Sequence, residues 1–278
     1  MDYYYVLGND SAIAIAEYIG GDVETFCEMM TQKAKDIGAT NTNFTSPHGL
    51  DDDMHYTTAY DLSLMADYAL DLPIFSQIVN QKMYTVCING NYKQIRNTNE
   101  LLGSLAGVDG IKTGFTNKAG RCLVTSTTRD NWQLITVVLG CDTKKQRAQE
   151  STKIIEYCFK NYELVDFSKL ANQNYEKLQI NVIKGKEDNV STHLEDKIVL
   201  LPIKKSDLGN IETSYNIERN IPTPVTENQK VGEYTITINN EQICSFNILT
   251  DKKVEKKKET DYLKIILFNL GDYLKIKF

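Results

Sequence analysis

The chain has 278 residues, of which 41% are hydrophobic and 24% are charged, enough for one large or two modest globular domains. Its formal net charge is −6 and its pI is about 5.3, so it lacks the basic surface of nucleic-acid-binding proteins, and we expect no nucleic-acid partner. Six scattered cysteines include no Cys-x-x-Cys pair, so we expect mostly small buried side chains rather than a disulfide framework.

The N-terminal stretch MDYYYVLGND has no basic start, no long apolar run and no cleavage site. We therefore expect no signal peptide in this chain. No segment reaches the ~18 consecutive apolar residues that a membrane-spanning helix needs.

The first part of the chain carries helix signals in sequence order. Asp10 is predicted to cap a helix through AIAIAEYI that ends at Gly20-Gly21. Asp22 caps a second predicted helix, where apolar residues recur at spacings of three and four until Gly38. Thr58, followed three residues later by an acidic residue, predicts the start of a third helix.

Strand signals follow the third helix. The runs RCLVTSTT and WQLITVVLG are predicted strands joined by the turn residues Asp130-Asn131, and Gly107 to Thr113 is a third candidate. A helix is predicted from about Lys144 to Tyr162. Its expected apolar stripe consists of Ile154, Ile155, Cys158 and Phe159.

The second half of the chain reads as strands. The runs KLQINVIKG, KIVLLPIKK and GEYTITINNEQICSFNI are rich in β-branched residues, and Asn239-Asn240 is a hairpin turn signal. A helix-rich half followed by a strand-rich half favours two domains. We therefore divide the chain into residues 1–162, a β-rich domain at 163–251, and a basic linker with an amphipathic tail at 252–278.

The tail has two parts. The charge run DKKVEKKKE is expected to be a solvated linker. The terminal TDYLKIILFNLGDYLKIKF has aromatic and aliphatic residues near helical spacing with lysines between them. This pattern is typical of a helix that lies on a membrane surface. The alternative is a terminal helix that docks on its own protein.

The stretch GVDGIKTGFTNKAGRC contains a Lys-Thr-Gly triplet at residues 112–114. A strand carrying Lys112 would present an ammonium, the Thr113 hydroxyl and a side-chain-free Gly114 at one edge. Such an edge can take an extended peptide as a further strand. The ammonium and a hydroxyl can hold a terminal carboxylate, and glycine allows a substrate backbone to approach closely.

Several blocks resemble the serine-type D-alanyl-D-alanine carboxypeptidases, the low-molecular-mass penicillin-binding proteins. They are LGNDSAIAIAEYI, TNFTSPHGLDDDMHYTTAYDLSLMADYAL, NTNELLGSLAGVDGIKTGFTNKAGRCLVTSTTRDNWQLITVVLG and PVTENQKVGEYTITINNEQICSFNILTDKKV. The resemblance runs from about Leu7 to the end. It implies an α/β fold of mixed helix and antiparallel sheet, beta-lactamase/transpeptidase-like and incomplete here, followed by a small all-β domain.

The resemblance also implies a chemistry. Family members use a Ser-x-x-Lys nucleophile motif, a Ser-x-Asn motif and the Lys-Thr-Gly strand to form an acyl-enzyme on D-Ala-D-Ala peptides. The Phe115 backbone N–H matches a donor of the oxyanion hole. No cofactor and no metal are implied. Substrate-binding roles fall on Asn9, Lys112, Thr113, Gly114, Thr116 and Arg147.

Two departures from the family pattern affect catalysis. Leu7 stands where the family has the serine of Ser-x-Asn, and no serine in the chain has a lysine three positions later. In the family the nucleophile motif lies upstream, so we expect an N-terminally incomplete and inactive copy. The strand QLITVVLG is then expected to have an unpaired edge. The alternative is a non-catalytic protein that binds peptidoglycan peptides or a partner.

The remaining polar cluster has a simpler explanation than a metal site. His48, His55 and residues 51–53 combine imidazoles and carboxylates. We interpret them as a turn with a buried histidine that bonds the backbone. The partner implied by the resemblance is a peptidoglycan stem peptide ending in D-Ala-D-Ala. The implied location is the cell envelope at the outer face of the cytoplasmic membrane, with peripheral membrane contact through 252–278.

Overall fold

The computed structural model describes residues 3–88 and 90–275, and it describes side chains within residues 8–87 and 90–270. The chain divides into two compact units, the first ending at Lys160 and the second beginning at Asn161. Each unit has its own hydrophobic core.

The first unit begins with helices whose N-termini are capped as predicted. Asp22 accepts a hydrogen bond from the Thr25 backbone N–H at 2.8 Å. Thr58 accepts one from the Asp61 N–H at 3.0 Å. The helices are α1 Tyr3–Gly20, α2 Val23–Asp36, α3 Ala59–Leu70, α4 Pro73–Val79 and α5 Lys144–Asn161.

The structure corrects two helix predictions. Asp10 lies inside α1 rather than at its N-cap, because the helix starts at Tyr3 and a single Gly8 does not break it. Of the predicted stripe of α5, only Ile154 was wrong, since it is 42% exposed, whereas Ile155 is fully buried, Phe159 packs against the core and Cys158 is partly buried. The buried residues of α5 are Arg147, Ser151 and Ile155, which recur every four residues. Because two of the three are polar, a search for apolar periodicity does not find them.

The strands of the first unit form a hairpin and an antiparallel three-stranded sheet. Asp130 and Asn131 have φ of 49° and 62°, as the predicted two-residue hairpin requires. The hairpin is β1 Met83–Ile88 with β2 Asn91–Arg96. The sheet has the order of β3 Val108–Thr116, β4 Gly120–Arg129 and β5 Trp132–Cys141.

Both outer strands of this sheet have one strand neighbour within the described residues. β3, which carries the Lys-Thr-Gly triplet, pairs with β4, and Lys112 lies opposite Val124. β5 also pairs only with β4 among residues 3–88 and 90–275, as expected for this apolar strand. The triplet therefore lies on an outer strand of the sheet.

The core of the first unit joins β3, β4 and α5 to the segment before β3. Only two of the six cysteines, Cys27 and Cys141, are buried, so the expectation of mostly buried thiols was wrong. The buried residues that form this core cluster are Leu101, Val108, Leu123 and Ile155. This packing places the segment that precedes β3 beside the Lys-Thr-Gly strand.

The second unit is built mainly from strands. They are β6 Tyr162–Asp166, β7 Gln179–Ile183, β8 Asn189–Leu194, β9 Leu200–Lys204, β10 Ile211–Ile217, β11 Asn220–Pro222, β12 Lys230–Ile238 and β13 Glu241–Thr250. Six of them form one sheet in the order β10-β12-β13-β8-β7-β11, and β6 pairs with β9. Asn239 and Asn240, with φ of 53° and 66°, form the predicted hairpin turn.

The second unit also contains helices within its described residues. α6, Phe167–Asn174, was not predicted; Asp166 caps it through the Lys169 N–H at 2.9 Å, and Phe167 is fully buried. An all-β reading of this region was therefore too simple. The α/β class with mixed helices and an antiparallel sheet, followed by a β domain, is confirmed.

The basic run after Asp251 is not a free solvated linker. Val254 is buried and forms a β-bridge with Val225. Lys186 also donates from its ammonium to Glu255 at 2.7 Å. The pattern misled because charged residues surround one apolar position that packs into the core.

The predicted terminal helix is confirmed as α7, Glu259–Lys275. The side chains of Tyr273 and Leu274, and residues 276–278, lie outside the described part of the chain. No single described helix has the length and apolar composition of a membrane span; α3 and α4 pass such a test only as a pair, bent by 110°.

Candidate functional site

Lys112 is the cation of the candidate site. Its side chain is exposed on β3, and its ammonium donates to the Thr113 carbonyl oxygen at 2.7 Å. Desolvation by the surrounding protein lowers the pKa of Lys112, and the positive charge of Arg147 lowers it further. One of its three N–H donors is used internally, so two remain for a ligand.

The Thr113 hydroxyl has a neighbour that the sequence analysis missed. The Oγ1 atoms of Thr98 and Thr113 lie 2.7 Å apart, and either hydroxyl can donate. Thr113 is half-buried, whereas Thr98 is exposed. The ammonium therefore contacts the Thr113 backbone, and the two hydroxyls meet at the Thr113 side chain.

Thr98 belongs to the 97–100 segment, Asn-Thr-Asn-Glu, which side-chain hydrogen bonds hold against β3. The Asn97 amide donates to the Val79 carbonyl at the end of α4, at 3.2 Å. The Asn99 side chain is 3% exposed and donates to the Gly110 carbonyl at 2.8 Å. Both asparagines accept backbone N–H bonds as well, a local turn pattern that was available in the sequence.

Arg147 is buried beneath this segment. It is 3% exposed, and its Nη2 donates to both Glu100 carboxylate oxygens, at 2.7 and 2.6 Å. Its Nη1 donates to the Cys122 carbonyl at 3.3 Å, opposite Gly114 on β3. The guanidinium therefore joins the 97–100 segment to β4.

After Thr113, Gly114 has open space around it, and the strand then ends in a hydrogen-bonded turn that leads to β4. A Cβ on Gly114 would meet only the Cys122 Cβ, at 3.8 Å, so the fold itself does not require glycine there. The Phe115 ring is 40% exposed with the Arg121 guanidinium 4.2 Å from its centroid. The Thr116 hydroxyl accepts the Ala119 N–H at 3.0 Å and closes the turn to β4.

The predicted second motif is not connected to β3 by the described contacts. Asn9 is half-buried on α1, which packs against α2. The described hydrogen bonds include none to its side chain. Leu7 is also on α1, but its side chain lies outside the described residues.

The histidine-rich turn is explained by backbone hydrogen bonds. His55 Nδ1 accepts the Thr45 N–H at 3.1 Å, and His48 Nδ1 accepts the Leu50 N–H at 3.3 Å. Both rings are partly exposed rather than buried, which corrects the expectation. Within the described residues no three His, Cys, Asp or Glu side chains are grouped as metal ligands would be.

Comparison with known proteins identifies the family. Residues 5–143 match the family described as D-alanyl-D-alanine carboxypeptidase, which is half of the chain. The chain belongs to this family. Residues 167–256 match the penicillin-binding protein 5 C-terminal domain. The predicted membership of the low-molecular-mass penicillin-binding proteins is confirmed.

Curated relatives in this family cover nearly the whole chain. D-alanyl-D-alanine carboxypeptidase DacF of Bacillus subtilis is 30% identical over 271 residues, 97% of this chain and 68% of the relative. DacA of Haemophilus influenzae is 34% identical over 247 residues, 87% of this chain and 61% of the relative. The chain thus spans about two thirds of the length of the curated relatives it matches.

Solved structures in the family have the same fold. Penicillin-binding protein 5 of Haemophilus influenzae matches with a TM-score of 0.68 and 31% identity, covering 89% of this chain and 71% of that chain. A mutant of the Streptomyces K15 DD-transpeptidase matches over 54% of this chain and 63% of its own, with a TM-score of 0.52 and 32% identity.

Proposed function

We propose that this chain binds the end of a peptidoglycan stem peptide that terminates in D-Ala-D-Ala, as part of a carboxypeptidase-type protein of cell-wall remodelling. One observation carries the proposal: on the outer strand β3 the Lys112 ammonium contacts the Thr113 carbonyl oxygen, and the Thr113 hydroxyl is paired with that of Thr98. Charge-assisted donors of this kind bind carboxylates. Family membership supports the choice of peptide.

In the proposed complex the peptide lies along β3 as an additional strand. Lys112 and Thr113 receive its C-terminal carboxylate, and Gly114 lets its backbone approach. The Phe115 N–H faces the carbonyl next to the terminal residue, and the Thr116 hydroxyl donates its free proton to the peptide. These four roles are proposals from the strand position of each residue.

Arg147 has a different proposed role from the one expected. Because its guanidinium is buried and bonded to Glu100, direct contact with the peptide would require this ion pair to open. We assign it a positioning role that fixes the 97–100 segment against β4. Because Arg147 is paired with Glu100, Lys112 is the cation that we propose for the peptide carboxylate.

The 278 residues by themselves are proposed to bind without turnover. Acyl transfer in this family needs a serine nucleophile activated by a lysine, and no Ser-x-x-Lys occurs among these residues. Leu7, at the family's second serine position, has no proton to relay. Asn9 is the remaining substrate-binding candidate of that motif.

The second unit is proposed to place the protein at the cell envelope. The part of α7 with described side chains exposes a large apolar surface; its residues at least half exposed are Leu263, Ile266, Leu267, Phe268 and Leu270. A helix of this kind binds at the headgroup boundary of a membrane. We therefore propose peripheral contact of 252–278 with the outer face of the cytoplasmic membrane.

Two measurements test the proposed function. Fluorescence anisotropy of a dye-labelled peptide ending in D-Ala-D-Ala should show binding that is weakened at least tenfold when the terminal carboxylate is replaced by an amide. Equal affinity for the two peptides would contradict the proposed carboxylate site. Incubation with a fluorescent penicillin should give no band that survives boiling in detergent; a stable band would contradict the absence of turnover.

A further inference from the structure

The hydroxyl pair formed by Thr98 and Thr113 has only one proton to offer a ligand. The two Oγ1 atoms lie 2.7 Å apart, so one of the two protons is used between them. The other proton belongs to whichever threonine accepts. Which hydroxyl faces the ligand as a donor therefore depends on the direction of this hydrogen bond.

We propose that Thr98 is a positioning residue that donates to Thr113 and thereby directs the Thr113 proton to the carboxylate of the bound peptide. This inference rests on the proposed function. When Thr98 donates, both O–H dipoles point along one chain toward the negative charge, and each bond polarises the next. The reverse direction turns a Thr113 lone pair toward the carboxylate and is disfavoured.

The position of Thr98 is fixed by its neighbours rather than by its own hydroxyl. Asn97 bonds the end of α4, Asn99 bonds the Gly110 carbonyl, and Glu100 bonds Arg147. Thr98 itself is exposed. Removing its hydroxyl should therefore leave the fold intact, which makes the side chain suitable for substitution.

The test compares Thr98→Val and Thr98→Ser in the full chain. Valine has nearly the same shape but no hydroxyl, whereas serine retains the donor. Anisotropy is measured with a labelled peptide ending in D-Ala-D-Ala and with the same peptide carrying a C-terminal amide. Thr128→Val is the matched control, since it removes an exposed hydroxyl of the same sheet that bonds Asp109 at 2.6 Å.

We expect Thr98→Val to lower the affinity for the carboxylate peptide about threefold to tenfold, the usual effect of one hydrogen bond, and to leave the affinity for the amide peptide unchanged. Thr98→Ser should restore the wild-type value, and Thr128→Val should not differ from wild type.

Three results would overturn the inference. Unchanged affinity in Thr98→Val, or equal weakening for both peptides, would show that Thr98 does not direct the carboxylate donor. These two results leave the proposed function standing. A wild-type chain that does not distinguish the carboxylate from the amide would instead overturn both proposals.

Discussion

Replacing Glu100 with glutamine would leave the Arg147 guanidinium buried without its counter-ion. Arg147 Nη2 donates to both carboxylate oxygens, while its Nε has no hydrogen-bond partner among the described residues. The pair joins α5 to the segment that carries Thr98. Its loss should therefore reduce the stability of the first unit.

The magnitude follows from the burial of the two side chains. Removing one partner of a fully buried ion pair costs about 3–5 kcal/mol. The Arg147 side chain is 4% exposed but that of Glu100 is 31% exposed, so water reaches one side of the pair. Glutamine also keeps one oxygen acceptor, and we therefore expect a loss of about 2 kcal/mol.

Urea unfolding followed by tryptophan fluorescence measures this loss. Trp132, the single tryptophan, packs edge-to-face on Phe159 within the first unit, with ring centroids 5.1 Å apart. With a denaturant slope of about 2 kcal/mol per M, the midpoint of Glu100→Gln should fall by about 1 M. The control Glu150→Gln removes an exposed ion pair with Lys153 and should cost below about 0.5 kcal/mol. A midpoint shift no larger than that of the control would refute the assignment.

Two further predictions concern a buried carboxylate and the terminal helix. Hydrogen bonds from the Thr42 hydroxyl and then from the Asn41 N–H hold the pKa of Asp61 below its ordinary value of 3.8. The ionised carboxylate therefore stabilises the folded state above pH 3.8, and this stabilisation is lost as the pH falls further. Asp61→Asn should therefore flatten the acid side of the stability profile, and a profile parallel to wild type would contradict this reasoning. Ending the chain after Lys258 removes α7 and should abolish co-sedimentation with phospholipid vesicles, whereas undiminished sedimentation would contradict the membrane contact.

Local signals predicted much of the fold. The caps Asp22 and Thr58 and the turns at 130–131 and 239–240 act through residues at most a few positions apart, so sequence spacing identifies them. The strand that carries Lys112 was likewise predicted from a local run of residues, Gly107 to Thr113. The start of α1 was not predicted correctly, because Asp10, a residue type that often caps helices, lies inside the helix.

The parts that sequence reasoning missed depend on contacts between distant residues. Thr98 meets Thr113 fifteen positions later, and Glu100 meets Arg147 forty-seven positions later. No periodicity encodes either pair. The burial of Val254 within a basic run likewise follows from its bridge to Val225, which only the folded chain reveals.

The central claim is that the Lys112 ammonium binds the C-terminal carboxylate of a peptide. The most direct measurement combines Lys112→Met with replacement of the peptide carboxylate by an amide. We expect Lys112→Met to lower the affinity for the carboxylate peptide about tenfold to a hundredfold, because one charged hydrogen bond is lost. The affinity for the amide peptide should be almost unchanged. The exposed lysine variant Lys153→Met should bind both peptides as wild type does. Equal effects of Lys112→Met on the two peptides, or none on either, would contradict the account.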